Sequence, residues 1–371
     1  MVRILKVFLL TLIFIVFELQ NLNLFANEIE GFKHILSGEL PKEMPNNYYG
    51  FVADIYGNEH EFIVFQAGNF IMTAQFENNN LNIVHQIPFQ EINLWVCGDL
   101  NKDKKDEIIF IKSPSIQTYE WGEGKFLKKE YNLPQLSNYE IHQAIVGDID
   151  NDDINEIILF AKNTQENSQG EEDEGFKLYL FILKRQKEKI KIIWSDKGKM
   201  GFYDPRVVPP PTLVCVGDIF NRSKNQLVIM ETQSDVSPSG FNLLMWSKNR
   251  LKLDQTVMFA NNKIWSSEEW ESEHPEEKIT SFVWYTFDIF KINNQIRILA
   301  PIYDGKSIPS DTYQGLIKIS GNRFEVEEIL KPVELKERGQ ILPNIVHCIN
   351  IDGKGKGLLH ITADDKYHFY R

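Results

Sequence analysis

The chain has 371 residues, of which 43% are hydrophobic and 25% are charged, with 22 Gly, 15 Pro and 3 Cys. This balance excludes disordered, collagen-like and disulfide-stapled proteins. The 40 basic residues are outnumbered by 52 acidic ones, and the net charge of −12 argues against a nucleic-acid binder, which needs Lys and Arg to neutralise phosphates. The 25 Phe, 13 Tyr and 7 Trp favour many short strands over a helical bundle.

The first 26 residues have the layout of a secretory signal peptide. Arg3 and Lys6 precede the apolar run 7–17, and a polar stretch then leads to Ala26, a small residue that suits cleavage. The apolar run is shorter than a regular membrane span, and no later segment is long and apolar enough to cross a bilayer. We therefore expect an exported protein, periplasmic, extracellular or at the cell surface, with 27–371 as its mature domain. An uncleaved N-terminal anchor is the alternative.

One pattern recurs six times after this segment: an apolar strand, an acidic or Asn/Gly-rich loop, and a second apolar strand. The occurrences lie at 51–65, 95–111, 144–160, 214–230, 285–300 and 347–361. Each is followed by a second hairpin with a short polar turn, such as 183–192, so that one repeat is predicted to contain four strands, a to d. Repeats of this length with four strands are typical of β-propeller blades.

The two ends of the chain are predicted to close the ring. The last repeat stops at 366–371, which looks like a third strand without a fourth, and 30–41 resembles the fourth strand of the second repeat, 123–134. Pairing the first strand with the last repeat removes two open sheet edges. The sequence therefore predicts an all-β, six-bladed β-propeller. Seven blades, one of them without the motif, are the alternative.

The acidic loops of the second and third repeats have the composition of a metal site. Positions 1, 3, 5 and 9 carry side-chain oxygens, and position 7 can offer its backbone carbonyl. Hard oxygen ligands in this number suit Ca²⁺ better than Zn²⁺. The predicted ligands are Asp148, Asp150, Asp152, Ile154 and Glu156 in the third repeat, and Asp99, Asn101, Asp103, Lys105 and Glu107 in the second. Solvated acidic hairpins without metal are the alternative.

These loops resemble the FG-GAP/VCBS repeats of integrin α-subunit propellers and of exported bacterial proteins, whose loop pattern is D-x-D/N-x-D/N-G-x-x-D. The resemblance implies a β-propeller with one or two structural Ca²⁺ ions in the loops between strands a and b. This chain departs from the pattern, because Lys104 and Asp153 replace the glycine and Glu107 and Glu156 replace the final Asp. The other four repeats lack the ligand set, and hydrogen bonds alone are expected to hold their leading residues. These are Asp54, Asp218, Asp288 and Asn350.

The long irregular segments are predicted to share one face of the propeller. In a four-stranded antiparallel blade the a–b and c–d connections leave from one face, and the b–c and d–a connections leave from the other. The long segments are all of the second kind and belong to blades 3 to 5, at 164–175, 195–212, 231–240, 261–278 and 301–315. Because binding groups tend to lie on loops held by a rigid scaffold, this face is the predicted interaction surface.

Aromatic and polar residues in these segments are the candidate partner-binding residues. Exposed Trp and Tyr anchor protein partners or stack on sugars, although each could instead pack a loop onto the body of the propeller. The candidates are Tyr203, Asp204, Arg206, Trp265, Trp270, His274, Tyr303, Asp304 and Tyr313.

The sequence contains no G-x-S-x-G, H-E-x-x-H, P-loop or C-x-x-C motif. Among the strands that precede the acidic loops, only His347 titrates near neutrality. Cys97, Cys215 and Cys348 occupy similar places in separate repeats and are predicted to be buried, unpaired thiols. We therefore expect a monomeric, non-enzymatic scaffold for a protein or a glycan. A propeller hydrolase or lyase with a site around the central channel is the alternative.

Overall fold

The computed structural model describes residues 32–45, 50–89, 94–166, 176–197, 202–204, 214–232, 238–258, 288–292, 295–303, 312–320, 323–330, 334–335, 340–341, 345–362 and 365–371. Regular structure within these ranges is β, apart from one 3₁₀ turn over Pro134–Leu136. No helix in these ranges is long and apolar enough to cross a membrane. The signal peptide predicted at 1–26 lies outside the described residues.

The strands form six antiparallel four-stranded sheets in a ring, which confirms the predicted six-bladed propeller. Blade 1 contains β2 (Gly50–Ala53), β3 (Phe62–Ala67), β4 (Phe70–Glu77) and β5 (Asn80–Pro88). Blade 2 contains β6 (Leu94–Gly98), β7 (Glu107–Lys112), β8 (Ser115–Gly122) and β9 (Lys125–Asn132). Blade 3 contains β10 (Tyr139–Gly147), β11 (Glu156–Asn163), β12 (Phe176–Gln186) and β13 (Lys189–Ser195), with β14 (Phe202–Asp204) paired to the start of β12.

The remaining blades have the same order. Blade 4 contains β15 (Val214–Gly217), β16 (Gln226–Thr232), β17 (Pro238–Trp246) and β18 (Leu251–Met258). Blade 5 contains β19 (Asp288–Ile292), β20 (Gln295–Tyr303), β21 (Thr312–Ser320) and β22 (Arg323–Leu330). A ribbon of β23 (Glu334–Leu335) and β24 (Gln340–Ile341) follows, and blade 6 contains β25 (Ile345–Ile349), β26 (Gly357–Thr362), β27 (Lys366–Tyr370) and β1 (His34–Glu39).

Blade 6 is built from both ends of the described chain, as predicted. β1 runs antiparallel to β27, with Ser37 opposite His368. The backbones of Lys33 and Arg371 exchange two hydrogen bonds of 2.8 and 2.9 Å, which extends the pairing beyond both strands. The N-terminal strand therefore supplies the outer strand that the last repeat lacks, and the ring closes without a sequence-adjacent hairpin at this point.

An apolar core lies at every one of the six blade interfaces, because both faces of each blade are buried. In β11, Ile157 and Leu159 pack toward blade 2, whereas Ile158 and Phe160 pack toward blade 4. Successive strand residues point to opposite faces, so a strand buried on both sides reads as a continuous apolar run. This arrangement explains why the strands before and after each acidic loop carry so few polar residues.

A glycine precedes the leading Asp in blades 2, 3 and 4, where the inner strand approaches the next blade closely. A Cβ atom on Gly98 would lie 2.3 Å from Val146 Cγ1, and one on Gly147 would lie 2.5 Å from Val216 Cβ. A Cβ atom on Gly217 would lie 3.1 Å from Ile289, which is a less severe contact. The first two positions therefore exclude any side chain unless the neighbouring blade moves.

We expect Gly147→Ala to lower the free energy of unfolding by about 1–3 kcal/mol, the usual cost of overpacking. Urea denaturation of wild type and variant measures the effect. Gly217→Ala is the matched control and should cost less, because its methyl group has more room. In addition, Gly147→Ala combined with Val216→Gly should be no less stable than Val216→Gly alone, because the Val216 Cβ atom that the new methyl group meets is then absent. Equal losses at Gly147 and Gly217 would contradict the steric explanation.

Candidate functional site

In blades 1 to 4 the leading residue holds the backbone of the a–b loop in place. In blade 6 the side-chain oxygen of Asn350 is buried and accepts no hydrogen bond from the described residues, so the prediction that hydrogen bonds hold this residue is wrong for that oxygen. Asp148 accepts hydrogen bonds from the backbone N–H groups of Asp152 and Asp153, each at 3.0 Å. Asp54 and Asp218 make equivalent bonds in blades 1 and 4, as predicted. The third and fifth residues after the leading one have positive φ in five loops: Gly57 and Glu59, Lys102 and Lys104, Asn151 and Asp153, Asn221 and Ser223, and Gly353 and Gly355.

The same loops tie each of blades 1 to 4 to the preceding blade in the ring. The residue just before strand b donates a hydrogen bond to the backbone carbonyl of the leading residue in the neighbouring blade. The bonds run from Glu61 N–H to Asn350 (2.9 Å), from Asp106 N–H to Asp54 (2.9 Å), from Asn155 N–H to Asp99 (3.3 Å), and from Asn225 Nδ2 to Asp148 (2.6 Å). The loops are therefore structural connectors between blades, whatever else they bind.

In blade 3 the predicted metal ligands converge. One carboxylate oxygen from each of Asp148, Asp150 and Glu156 lies within 4.8 Å of the other two. Glu156 is fully buried, and its Oε2 accepts the backbone N–H of Ile149 at 3.0 Å. The backbone N–H of Ile154 donates to Asp152 Oδ1 at 3.0 Å. This loop has the hard oxygen donors that Ca²⁺ prefers.

The ammonium group of Lys184 lies inside this cluster. Its Nζ is 2.7 Å from Asp150 Oδ2, 2.7 Å from Asp152 Oδ2 and 2.5 Å from Glu156 Oε1, and its side chain is only 10% exposed. Burial by itself would lower the pKa of Lys184, but hydrogen bonds to the three carboxylates outweigh it and raise that pKa above the ordinary value. The donor set as arranged does not fit a divalent cation, because a protonated amine already occupies it. A Ca²⁺ ion in this loop stays a prediction, and it could bind there only if the Lys184 side chain moved out of the carboxylate cluster.

In blade 2 the predicted ligands do not converge on one point. Asn101 directs its Nδ2 group to Glu107 Oε1 at 3.0 Å and to Glu120 Oε1 at 2.8 Å, so it presents hydrogen-bond donors where a metal needs oxygen. Asp103 Oδ1 accepts the backbone N–H of Lys105 at 2.9 Å on the exposed side of the loop. The blade 2 loop as described therefore does not fit Ca²⁺, and its metal site also stays a prediction.

A guanidinium group from blade 3 lies against two acids of blade 2. Arg185 Nη1 lies 2.6 Å from Glu107 Oε1, and Nη2 lies 3.8 Å from Glu120 Oε2. Glu107 is fully buried, and the Arg185 side chain is 5% exposed. Burial raises the pKa of Glu107 to about 8, although the N–H of Leu100 and the charge of Arg185 both act to lower it. The pair spans the interface between the two blades.

Sequence reasoning missed Lys184, Arg185 and Glu120. The sequence predicts a polar turn over 183–192, but β12 continues to Gln186 and keeps both basic residues inside the strand. Adjacent strand residues point to opposite faces, so Lys184 reaches the loop of its own blade while Arg185 reaches blade 2. The sequence signal that could have indicated these buried cations is a Lys-Arg pair that directly follows a long apolar run.

Four of the candidate partner-binding residues lie in strands, which corrects their assignment to irregular segments. Tyr203 and Asp204 belong to β14, because β12 extends beyond β13 and leaves room for a second edge strand. Tyr303 and Tyr313 belong to β20 and β21, which continue pairing to the end of the sheet. The other five lie outside the described residues: Arg206, Trp265, Trp270, His274 and Asp304. Their predicted role in binding is untested.

The ionisable residues near the inner strands have structural partners. His347 is buried, and burial lowers its pKa to about 4, so its ring is neutral at pH 7. Burial raises the pKa of Asp106 to about 6, and its Oδ2 accepts the N–H of Asp54 at 2.7 Å. Glu61 Oε2 accepts the N–H of Asn350 at 2.6 Å, and its Oε1 lies 3.2 Å from the ammonium of Lys356. These acids hold neighbouring blades together.

No protein family and no curated protein sequence matches the chain. Among solved structures, it is similar to BBS1N in complex with ARL6DN soaked with mercury, with 8% identity and a TM-score of 0.44 over 91% of this chain and 96% of that chain. The same complex soaked with lead gives 9% identity and 0.43 over the same shares. The exotype rhamnogalacturonan lyase YesX gives 10% identity and 0.40 over 91% of this chain and 75% of that chain. At these values the similarities bear on neither activity nor partner.

Proposed function

We propose that this protein is an exported, non-enzymatic β-propeller that binds a protein or a glycan through the b–c and d–a connections of blades 3 to 5. The observation that carries the proposal is where the chain places its long connections. The b–c connections of blades 1 and 2 are the short segments 68–69 and 113–114, whereas those of blades 3 and 5 are 164–175 and 304–311. The b–c connection of blade 4 is 233–237, shorter than the predicted 231–240, because the strands continue into both ends of that segment.

The long d–a connections leave from the same side of the ring. Strand direction alternates within every blade, so b–c and d–a connections share one face, opposite the a–b loops. The connections 205–213 and 259–287 lead into blades 4 and 5, and the β23–β24 ribbon belongs to the one that leads into blade 6. A rigid ring with long segments on one face is a common arrangement for recognition.

The opposite face supports a structural role for the a–b loops, and we propose that they are degenerate FG-GAP/VCBS-like repeats. Their leading residue, their positive φ values at the third and fifth following residues and their shared interblade hydrogen bonds support this assignment. The proposal includes a structural Ca²⁺ ion in blade 3 only for a state in which the Lys184 side chain has moved out of the carboxylate cluster. The scaffold function does not depend on that ion.

A hydrolase or lyase has less support among the described residues. Its site would need free ionisable groups from several inner strands. His347 is neutral and buried, and Asp106 and Glu61 are engaged by backbone N–H groups of adjacent blades. We therefore assign these groups to ring assembly.

A binding experiment tests the scaffold function. We expect Trp265→Ala/Trp270→Ala in residues 27–371 to reduce binding at least several-fold to a glycan array or to purified exported proteins of the source cell. The matched control is Glu123→Ala/Lys125→Ala, which alters exposed residues at the c–d turn of blade 2 on the opposite face. This control should bind like wild type.

Thermal unfolding of all three proteins separates binding from folding, since both variants should unfold within a few degrees of wild type. Further variants would cover the remaining candidate residues on the same face. The proposal fails if combined substitutions across 164–313 leave every interaction unchanged. It also fails if the opposite-face control loses binding to the same extent.

A further inference from the structure

We propose that Lys184 is the resident cation of the blade 3 loop, so that its ammonium takes the place of a divalent metal and the loop folds without one. Arg185 has the corresponding role for the buried acids of blade 2. The inference concerns the a–b loops alone and is independent of the partner surface.

The position of Lys184 in the sheet places its charge in the cluster. Lys184 lies directly opposite Glu156 in the pairing of β11 with β12. Cross-strand neighbours have Cβ atoms about 4.5–5.5 Å apart, so the long lysine side chain reaches past Glu156 to Asp150 and Asp152. The contact is thus set by strand register and does not depend on a flexible surface side chain.

Blade 4 shows the same site with both charges removed. Gln226 Oε1 accepts the N–H of Ile219 at 3.2 Å, as Glu156 Oε2 accepts that of Ile149 in blade 3. The residue opposite Gln226 is Met245. In blade 4 the neutral amide therefore faces an apolar residue, whereas in blade 3 the carboxylate faces an ammonium group.

Blade 2 completes the comparison with a cation from a different strand. The pairing of β7 with β8 ends with Ile108 opposite Tyr119, and Glu107 and Glu120 are the next residues of the two strands, so this blade has two acids where blade 3 has an acid and a lysine. Arg185 of the next blade lies against both of them. A buried charge is costly unless it is paired, and the acids of blades 2 and 3 are each paired with a cation of the chain itself.

The ammonium also disfavours metal binding in the wild-type loop. A divalent ion held by Asp150 and Glu156 would lie within a few ångströms of Nζ, and like charges at that separation repel strongly in a buried site. Removal of the lysine would leave three carboxylates with no counter-ion. Such an oxygen cluster is suited to Ca²⁺.

The test compares wild type, Lys184→Met and Lys184→Met/Glu156→Gln by thermal unfolding in CaCl₂ and in chelator. Wild type should unfold at the same temperature in both. Lys184→Met should be less stable in chelator and should gain a Ca²⁺-dependent rise of about 2–6 °C at saturating Ca²⁺. Calorimetric titration of this variant should give a dissociation constant of roughly 10⁻⁴–10⁻³ M, the range of weak extracellular sites.

The double variant transplants the Gln–Met pair of blade 4 into blade 3 and is the matched control. It should recover stability in chelator and show no response to Ca²⁺. A Ca²⁺-dependent rise in wild type that is lost in Asp148→Ala/Asp152→Ala would overturn the proposal, and so would a folded Lys184→Met that ignores Ca²⁺. If Lys184→Met does not fold in either buffer, a folded double variant supports the proposal and an unfolded one refutes it.

Discussion

Deletion of residues 27–39 is expected to prevent the rest of the chain from folding as a stable monomer. The deletion removes β1, which is the outer strand of blade 6 and joins the two ends of the ring. Without it, β27 exposes a full edge of unpaired backbone groups, which favours aggregation or strand exchange between chains.

The energetic basis is the amount of core that β1 and its flanks supply. Phe32 packs between blades 5 and 6, and Leu36 packs against the core between blades 6 and 1. Burial of each such side chain is worth about 1.5–3 kcal/mol, and each ladder hydrogen bond adds about 0.5–1.5 kcal/mol. Together these losses approach the about 5–15 kcal/mol by which a typical domain is stable.

A circular permutant is the control for this experiment. It begins at Lys42 and carries residues 27–41 after Arg371 through a short Gly-Ser linker, so that β1 follows β27 as strand d follows strand c in the other blades. The backbones of Lys33 and Arg371 are already hydrogen-bonded to each other, so the linker spans a short distance.

Circular dichroism and size-exclusion chromatography measure both outcomes. We expect the permutant to be monomeric with a cooperative unfolding transition, and the deletion variant to be aggregated or to lack such a transition. A deletion variant that is monomeric and unfolds within a few degrees of wild type would show that β1 is dispensable for closure.

The blade architecture could be predicted because its causes are local. A strand buried on both faces is an apolar run, a tight loop needs Asp, Asn or Gly at fixed places, and both signals recur along the chain. The closure of the ring was also predictable from the sequence. The C-terminal repeat has three strands and the N-terminal segment has one unpaired strand, so pairing them covers two open sheet edges. The hydrogen-bonding role of Asp54 and Asp218 followed from their short polar side chains.

The charge balance of the loops could not be predicted, because it depends on strand register. Lys184 is far from Glu156 in sequence, and nothing in the spacing says that the two residues face each other across β11 and β12. Arg185 is harder still to assign, since its partners belong to another blade. The ends of strands were also hard to predict from the sequence. Tyr303 and Tyr313 lie in strands because polar residues can lengthen a strand as long as their backbones pair.

The pair of Glu107 and Arg185 leads to the second large effect. Arg185→Met is expected to lower the free energy of unfolding by about 3–5 kcal/mol at pH 9, the usual cost of removing one partner of a buried ion pair. The substitution leaves Glu107 and Glu120 near each other without the guanidinium, although Lys129 still pairs with Glu120. Arg185→Met/Glu107→Gln should recover most of the loss, because it also removes the buried carboxyl group with which Arg185 pairs.

The loss should depend on pH in a direction that the buried carboxyl determines. Burial raises the pKa of folded Glu107 to about 8, above the 4.5 of an ordinary Glu, so its contribution to stability is present at low pH and is lost as the pH rises through 8. Removal of Arg185 raises that pKa further. The difference between wild type and Arg185→Met should therefore be small at pH 5, where Glu107 is protonated in both folded proteins, and largest at pH 9. Urea denaturation at both pH values measures the difference. A pH-independent difference would show that Arg185 does not stabilise the interface through the charge of Glu107.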